Sequence, residues 1–347
     1  MKAIPILTIA LCFVFSGASN AQSHTHELMI STSMDKTAIK KVPEFIGLSG
    51  MVKVGHSAYL GVHDTKGFQE GLRVSIISVA KKKKVLVQEI QFSEWEDEEK
   101  RSSDLECICE IPGKEDEFFL VESGSWKDDE GDIRSGKMYR VRIDLIRRTG
   151  TILATKEMPI IHPSMDDPTD DDKVIWGDQI EGVICIDRGE SKVQLVYAER
   201  GGSDKYPQGR IRWSTYDLTS NALTTTDAGR VGDEINDLGT WQDAKKNRDI
   251  SDLILDGNVV WAVGSEDPGD AGPFASTIYK LGTLSETIDK PITLETDPKT
   301  NRMEIAGIKV EALAKPTMVT SGSKFAIGFD DEIFGSGWRG IRWKKSN

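Results

Sequence analysis

The chain has 347 residues, with 44 Lys and Arg against 56 Asp and Glu and a formal net charge of −12 at neutral pH. Such an acidic balance argues against nucleic acid, whose phosphates are held by Lys and Arg, and is compatible with divalent cations. Beyond the N-terminus no apolar run approaches the ~20 residues that span a bilayer.

Residues 1–21 read as a secretory signal. Lys2 supplies the charged start, residues 4–15 the apolar stretch, and Ser19 and Ala21 the small residues that cleavage needs. The expected product is residues 22–347: one domain, exported to the periplasm or the medium, without a membrane span and monomeric. Cleavage after Ala21 would expose Gln22, Ser23 and His24. There an α-amine, two amides and an imidazole could form a square-planar Cu²⁺ or Ni²⁺ site, unless the segment is only a tail.

The rest of the chain repeats a pattern. Residues 48–52 with 59–64 form one unit, followed by 104–109 with 118–124, 179–183 with 193–199, 250–254 with 259–267, and 309–313 with 325–330. Each unit is an apolar strand with a polar residue near its start, a turn, and a second apolar strand ending at a carboxylate. Third strands follow at 71–76, 136–143, 209–216, 276–281 and 338–343, most of them alternating polar with apolar. Fourth strands are expected at 85–92, 151–160, 222–226 and 291–295. No stretch has convincing helical spacing.

Four strands per unit, repeated round a ring, predict an all-β fold, a β-propeller. One blade cannot bury both its faces, whereas blades stacked in a circle can. Five units are visible. At about 65 residues each they exceed the ~40–50 of a common blade, which leaves room for a sixth. The last unit lacks a fourth strand, so a strand at residues 27–32 is expected to complete it and close the ring.

First strands of blades line the axis. Ser49, Glu106, Glu181, Ser251 or Asp252, and Glu311 occupy equivalent places. Converging carboxylates repel unless they are protonated or bridged by a cation. Ca²⁺, with six to eight oxygen ligands, suits an irregular set on Glu106, Glu181 and Glu311. The other reading is that each Glu binds backbone N–H groups of the next blade. A second set, Asp64, Glu122, Glu199, Asp267 and Asp330, ends the second strands; Glu122, Glu199 and Asp330 could join the same metal shell or merely cap turns. Arg200 or Arg134 could hold an anion beside it. The acidic loop at 166–172 lacks the Gly and Glu of an EF-hand and is either a peripheral Ca²⁺ site or a solvated loop.

Catalytic residues are not identified. Ser123-Gly124-Ser125 and Ser321-Gly322-Ser323 are not nucleophile elbows, and His56, His63 and His162 have no evident partners. No organic cofactor is expected. Cys107, Cys109 and Cys185 read as small core residues, with a disulfide from Cys185 to one of the other two left open.

The Asp104–Gly124 stretch, and more weakly residues 179–201 and 309–331, resemble exported phytase-like or esterase-like propellers. That resemblance implies about six blades, bound Ca²⁺ and hydrolysis of phosphate or carboxylic esters, and it offers Glu106 alone as a matching position. Two functions follow. One is a Ca²⁺-supported ester or phosphoester hydrolase acting on a small anionic ester. The other is a non-catalytic propeller that binds a ligand or an envelope protein at its rim.

Overall fold

The computed structural model describes residues 26–27, 47–66, 71–80, 84–96, 100–124, 126–127, 133–134, 136–158, 160–161, 175–203, 206–236, 247–266, 268–269, 272–300, 302–320, 322–331 and 336–342. The signal, the Gln22–His24 segment, the 166–172 loop, Ser125, Ser321, His162 and Asp267 lie outside them.

Five antiparallel sheets succeed one another. Blade 1 runs Leu48–Val54, Ala58–His63, Val74–Ala80 and Lys84–Glu89. Blade 2 runs Leu105–Glu110, Glu117–Glu122, Lys137–Asp144 and Thr149–Glu157, with Gln91–Phe92 added in parallel at its outer edge. Blade 3 runs Ile180–Asp187, Lys192–Glu199, Arg210–Asp217 and Ala222–Thr224. Blade 4 runs Asn247–Asp256, Val259–Glu266 and Ala275–Leu284, whose outer edge is shared by Ile292–Leu294 and Arg302–Ala306. Blade 5 has three described strands, Val310–Ala314, Phe325–Asp330 and Ser336–Ile341. A single described α-helix, Asp227–Val231, follows blade 3, capped by the Thr226 hydroxyl accepting from Gly229 N–H.

The second strands are continuous apolar runs because both of their faces meet another blade. Glu117–Glu122 is buried at every position, as is Val193–Glu199. The core is accordingly divided into five seams. Leu60, Phe118 and Tyr139 pack blade 1 on blade 2; Cys109, Phe119 and Leu195 pack 2 on 3; Ile184, Trp213 and Leu253 pack 3 on 4. Val263, Leu313 and Phe325 pack 4 on 5, and Leu48, Tyr59 and Ala326 pack 5 back on 1. Five seams joining five sheets make a closed five-bladed ring, with no sixth blade among the described residues.

The seams close tightly where residues are small. A Cβ on Gly50 would sit 2.6 Å from the Glu106 carbonyl oxygen, and one on Gly182 would sit 2.8 Å from Leu253 N. Main-chain bonds follow the same seams: Asp104 N–H donates to Thr65 O, Ile180 N–H to Ser123 O, and Ile250 N–H to Arg200 O.

Of the strand expected to close the ring, residues 27–32, only Glu27 lies within the described residues. The described part of the N-terminal segment, His26–Glu27, pairs in parallel with Met303 and Glu304 at the outer edge of blade 4, not with blade 5. Among the described residues, the seam between blades 5 and 1 is held by side-chain packing and by the Asp330 carboxylate, which accepts from Gly47 N–H at 2.9 Å.

Candidate functional site

One irregularity recurs in every first strand. In blade 1 Leu48 pairs with His63 and Gly50 with Val62, so Ser49 has no partner. The same skip removes Glu106 in blade 2, Glu181 in blade 3 and Glu311 in blade 5 from the ladder. Blade 4 has a wider break, between Arg248 and Asp252. A bulge turns the extra residue out of the regular alternation and bends the strand. Repeated round a ring, it aims Ser49, Glu106, Glu181 and Glu311 into one space at the mouth of the axis.

That space is a cavity of about 150 Å³, lined by those four residues together with Asp64, Asp330, Gln179 and four cations, Lys66, Arg200, Arg248 and Lys309. The second acidic set divides. Glu122 and Glu199 stand directly opposite the residue before the bulge, whereas Asp64, Arg200 and Asp330 stand one residue further on. One step along a strand reverses the face. Hence Asp64, Arg200 and Asp330 reach the mouth, and Glu122 and Glu199 turn into the blades. The Glu122 carboxylate accepts from Ser103 N–H, Lys137 N–H and the Tyr139 hydroxyl at 3.0, 2.7 and 2.8 Å. Glu199 is paired with Arg212. Asp252 likewise serves the frame, accepting from Leu313 N–H across the seam between blades 4 and 5 at 2.7 Å. His63, buried against the Ser75 hydroxyl at 2.9 Å, belongs to the interior of blade 1.

The mouth is a lattice of both charges. Glu181 faces the Arg200 guanidinium at 3.7 Å. Glu311 faces the Lys309 ammonium at 2.9 Å and the Arg248 guanidinium at 3.7 Å. Lys66 lies 3.8 Å from Asp104, a buried residue at φ 55° just before the first strand of blade 2. Burial dominates the carboxyl equilibria. It pushes Glu106 well above the usual range, reinforced by the charges of Glu181, Asp104, Asp64 and Glu311. Burial raises Asp64 to about 6, with help from Asp104 and against Lys66. Burial also raises Glu181 to about 7, against the pull of Arg248 and Arg200. Next to the mouth, burial raises Asp331, which accepts from Lys309 N–H at 2.7 Å, to about 6.

This donor set does not suit Ca²⁺. The ion wants six to eight oxygens, whereas here ammonium and guanidinium groups stand between the carboxylates. Among the described residues no three His, Cys, Asp or Glu side chains gather closely enough to hold a metal ion. The repulsion that suggested a cation is relieved by Arg, Lys and raised proton affinity instead.

Of the cations, sequence reasoning singled out Arg200 and missed Lys66, Arg248 and Lys309. Lys309 had a signal. It occupies the column of Gly47, Asp104 and Gln179: the carbonyls of Gly47, Asp104, Gln179 and Lys309 accept from Asp64, Ser123, Arg200 and Asp330 N–H respectively. Lys66 stands on irregular backbone after a strand, Arg248 lies in the first strand of blade 4 just before its break, and neither had a signal.

No protein-family model matches the sequence. No characterised protein matches it by sequence either. Solved structures of similar shape include an exo-1,5-alpha-L-arabinanase from a bovine ruminal metagenomic library, 11% identical, covering 86% of this chain and 94% of that one with a TM-score of 0.46. A GH43_12 protein retrieved from a capybara gut metagenome is 11% identical over 83% of this chain, with a TM-score of 0.43; this chain spans only 48% of its length. The native Bacillus subtilis arabinanase is 10% identical, covering 83% and 90% of the two chains with a TM-score of 0.40. Likenesses this distant say nothing about what this chain does. The resemblance to phytase-like and esterase-like chains holds at the level of the β-propeller. No described helix is long and apolar enough to cross a membrane.

Proposed function

We propose that this is an exported hydrolase that cleaves an ester or phosphoester of a small anionic molecule at the axial mouth, by carboxyl acid–base chemistry. The observation that carries the reading is one small cavity holding carboxyl groups of unequal proton affinity among four cations. Glu106, held protonated by burial, donates to the leaving oxygen. Asp64, ionised above about pH 6, takes the proton of the attacking water. Arg200, Arg248, Lys66 and Lys309 hold the anionic part of the substrate and the charge that develops on it. Water is the nucleophile, because Ser49, the hydroxyl that lines the cavity among the described residues, donates to Gly47 O. No step is assigned to a metal.

The test uses an aryl phosphate and an aryl acyl ester between pH 5 and 8. We expect turnover that rises through about pH 6 as Asp64 ionises, and a loss of roughly 10²–10⁴-fold in Glu106→Gln with the fold intact. Equal turnover in that variant contradicts the reading.

A second reading has its own support. Glu181 and Glu311 already have cationic partners, as in a receptacle that only binds. Small dianions that raise the melting temperature without being turned over would select it. Neither binding nor turnover removes both.

A further inference from the structure

The seam between blades 2 and 3 contains all three cysteines of the propeller, each buried and in the thiol form. They are not alike. The Cys107 thiol donates to Ile180 O across the seam at 3.8 Å. Two residues further along the same face, Cys109 lies across the seam in the same buried cluster as Cys185, close enough to raise the proton affinity of that thiol. Cys109 lies beside Phe119 in the register of blade 2 and Cys185 beside Leu195 in that of blade 3, so the pair sits between two rigid sheets. Each is 7% exposed, inside an apolar cluster with Val183, Tyr197 and Tyr216.

We propose that Cys109 and Cys185 are a disulfide-forming pair that ties blade 2 to blade 3, with Cys107 remaining a thiol. The oxidant is a small disulfide of the glutathione class. One cysteine loses its proton, and its thiolate attacks a sulfur of the small disulfide and expels one half as a thiolate. The second cysteine, deprotonated in turn, displaces the other half from the mixed disulfide. Two electrons pass from the pair to the small disulfide, whose halves leave as two thiols carrying the two protons. The folded pair is shielded, and burial holds the Cys185 thiol well above its usual range, which leaves Cys185 short of thiolate. The bond therefore forms as the seam assembles, and once formed it is hidden from reductants.

The test is oxidative refolding of the expected product, residues 22–347, which carries three of the four cysteines, in a mixture of reduced and oxidised glutathione. Free thiols are then alkylated, the protein is digested without reduction, and fragment masses are read. We expect a Cys109–Cys185 cross-linked peptide, about 2 Da below the sum of its thiol forms, carrying an alkyl group on Cys107. The Cys107→Ala variant should give the same cross-link. Alkylation of all three cysteines, or a link through Cys107, overturns the proposal. Mapping the unsubstituted protein keeps the result independent of how any variant folds.

Discussion

Glu181 is 3% exposed, so its raised proton affinity is a statement about stability as well as chemistry. Folding lifts it from 4.5 to about 7, so the folded state binds the proton more tightly than the unfolded state. The resulting stabilisation is complete below the unfolded value and is lost as pH rises through the folded one. At about 1.4 kcal/mol per pKa unit, the contribution is a few kcal/mol. Asp64 and Asp331, lifted to about 6, act in the same direction. The protein should therefore resist urea better at pH 5 than at pH 7.5. The Glu181→Gln variant should show a flatter profile across that window, measured by denaturation midpoints. An unchanged slope would mean that Glu181 titrates normally. The residue scale is also where the sequence was least legible. The glutamates were visible as a repeat, but Glu122 and Glu199 were aligned with Asp64 and Asp330 by their place at strand ends. The true equivalence depends on a bulge, and that appears only in the pairing.

At the scale of the element, the bulge in each first strand positions the site. It frees one residue per blade from the ladder and brings the backbone of that strand close to the next blade. Gly182 marks that approach, with its missing Cβ 2.8 Å from Leu253 N. Gly182→Ala would force two sheets apart at their narrowest point. A cost of roughly 1–3 kcal/mol is expected, as for overpacked cores generally, read as a lower denaturation midpoint at unchanged slope. A neutral result would mean that the seam yields. Strands were well read from the sequence, because second strands buried on both faces show as unbroken apolar runs and third strands alternate. Arg302–Ala306 was missed although it alternates, since it is short and shares the outer edge of blade 4 with Ile292–Leu294, which already supplied the expected fourth strand. The Asp227–Val231 helix escaped because one turn is too short to show periodicity.

Over the whole molecule, sheets arranged about one axis make neighbours of residues 106, 181 and 311. The seam clusters give the ring its count of five, where unit length alone left six open. The long units are explained by added edge strands and loops. Among the described residues, packing and the Gly47–Asp330 bond join the last blade to the first. Charge was the surprise. The net acidity of the chain pointed to a metal, while the mouth itself gathers four cations against its carboxylates. All of these readings depend on Glu106 and Glu181 sharing one electrostatic space. A double-mutant cycle with Glu106→Gln, Glu181→Gln and the pair, followed by urea denaturation at pH 7.5, measures that directly. The shared mouth predicts a coupling of about 0.5–3 kcal/mol. Strictly additive effects would place the two carboxyls apart and contradict the site.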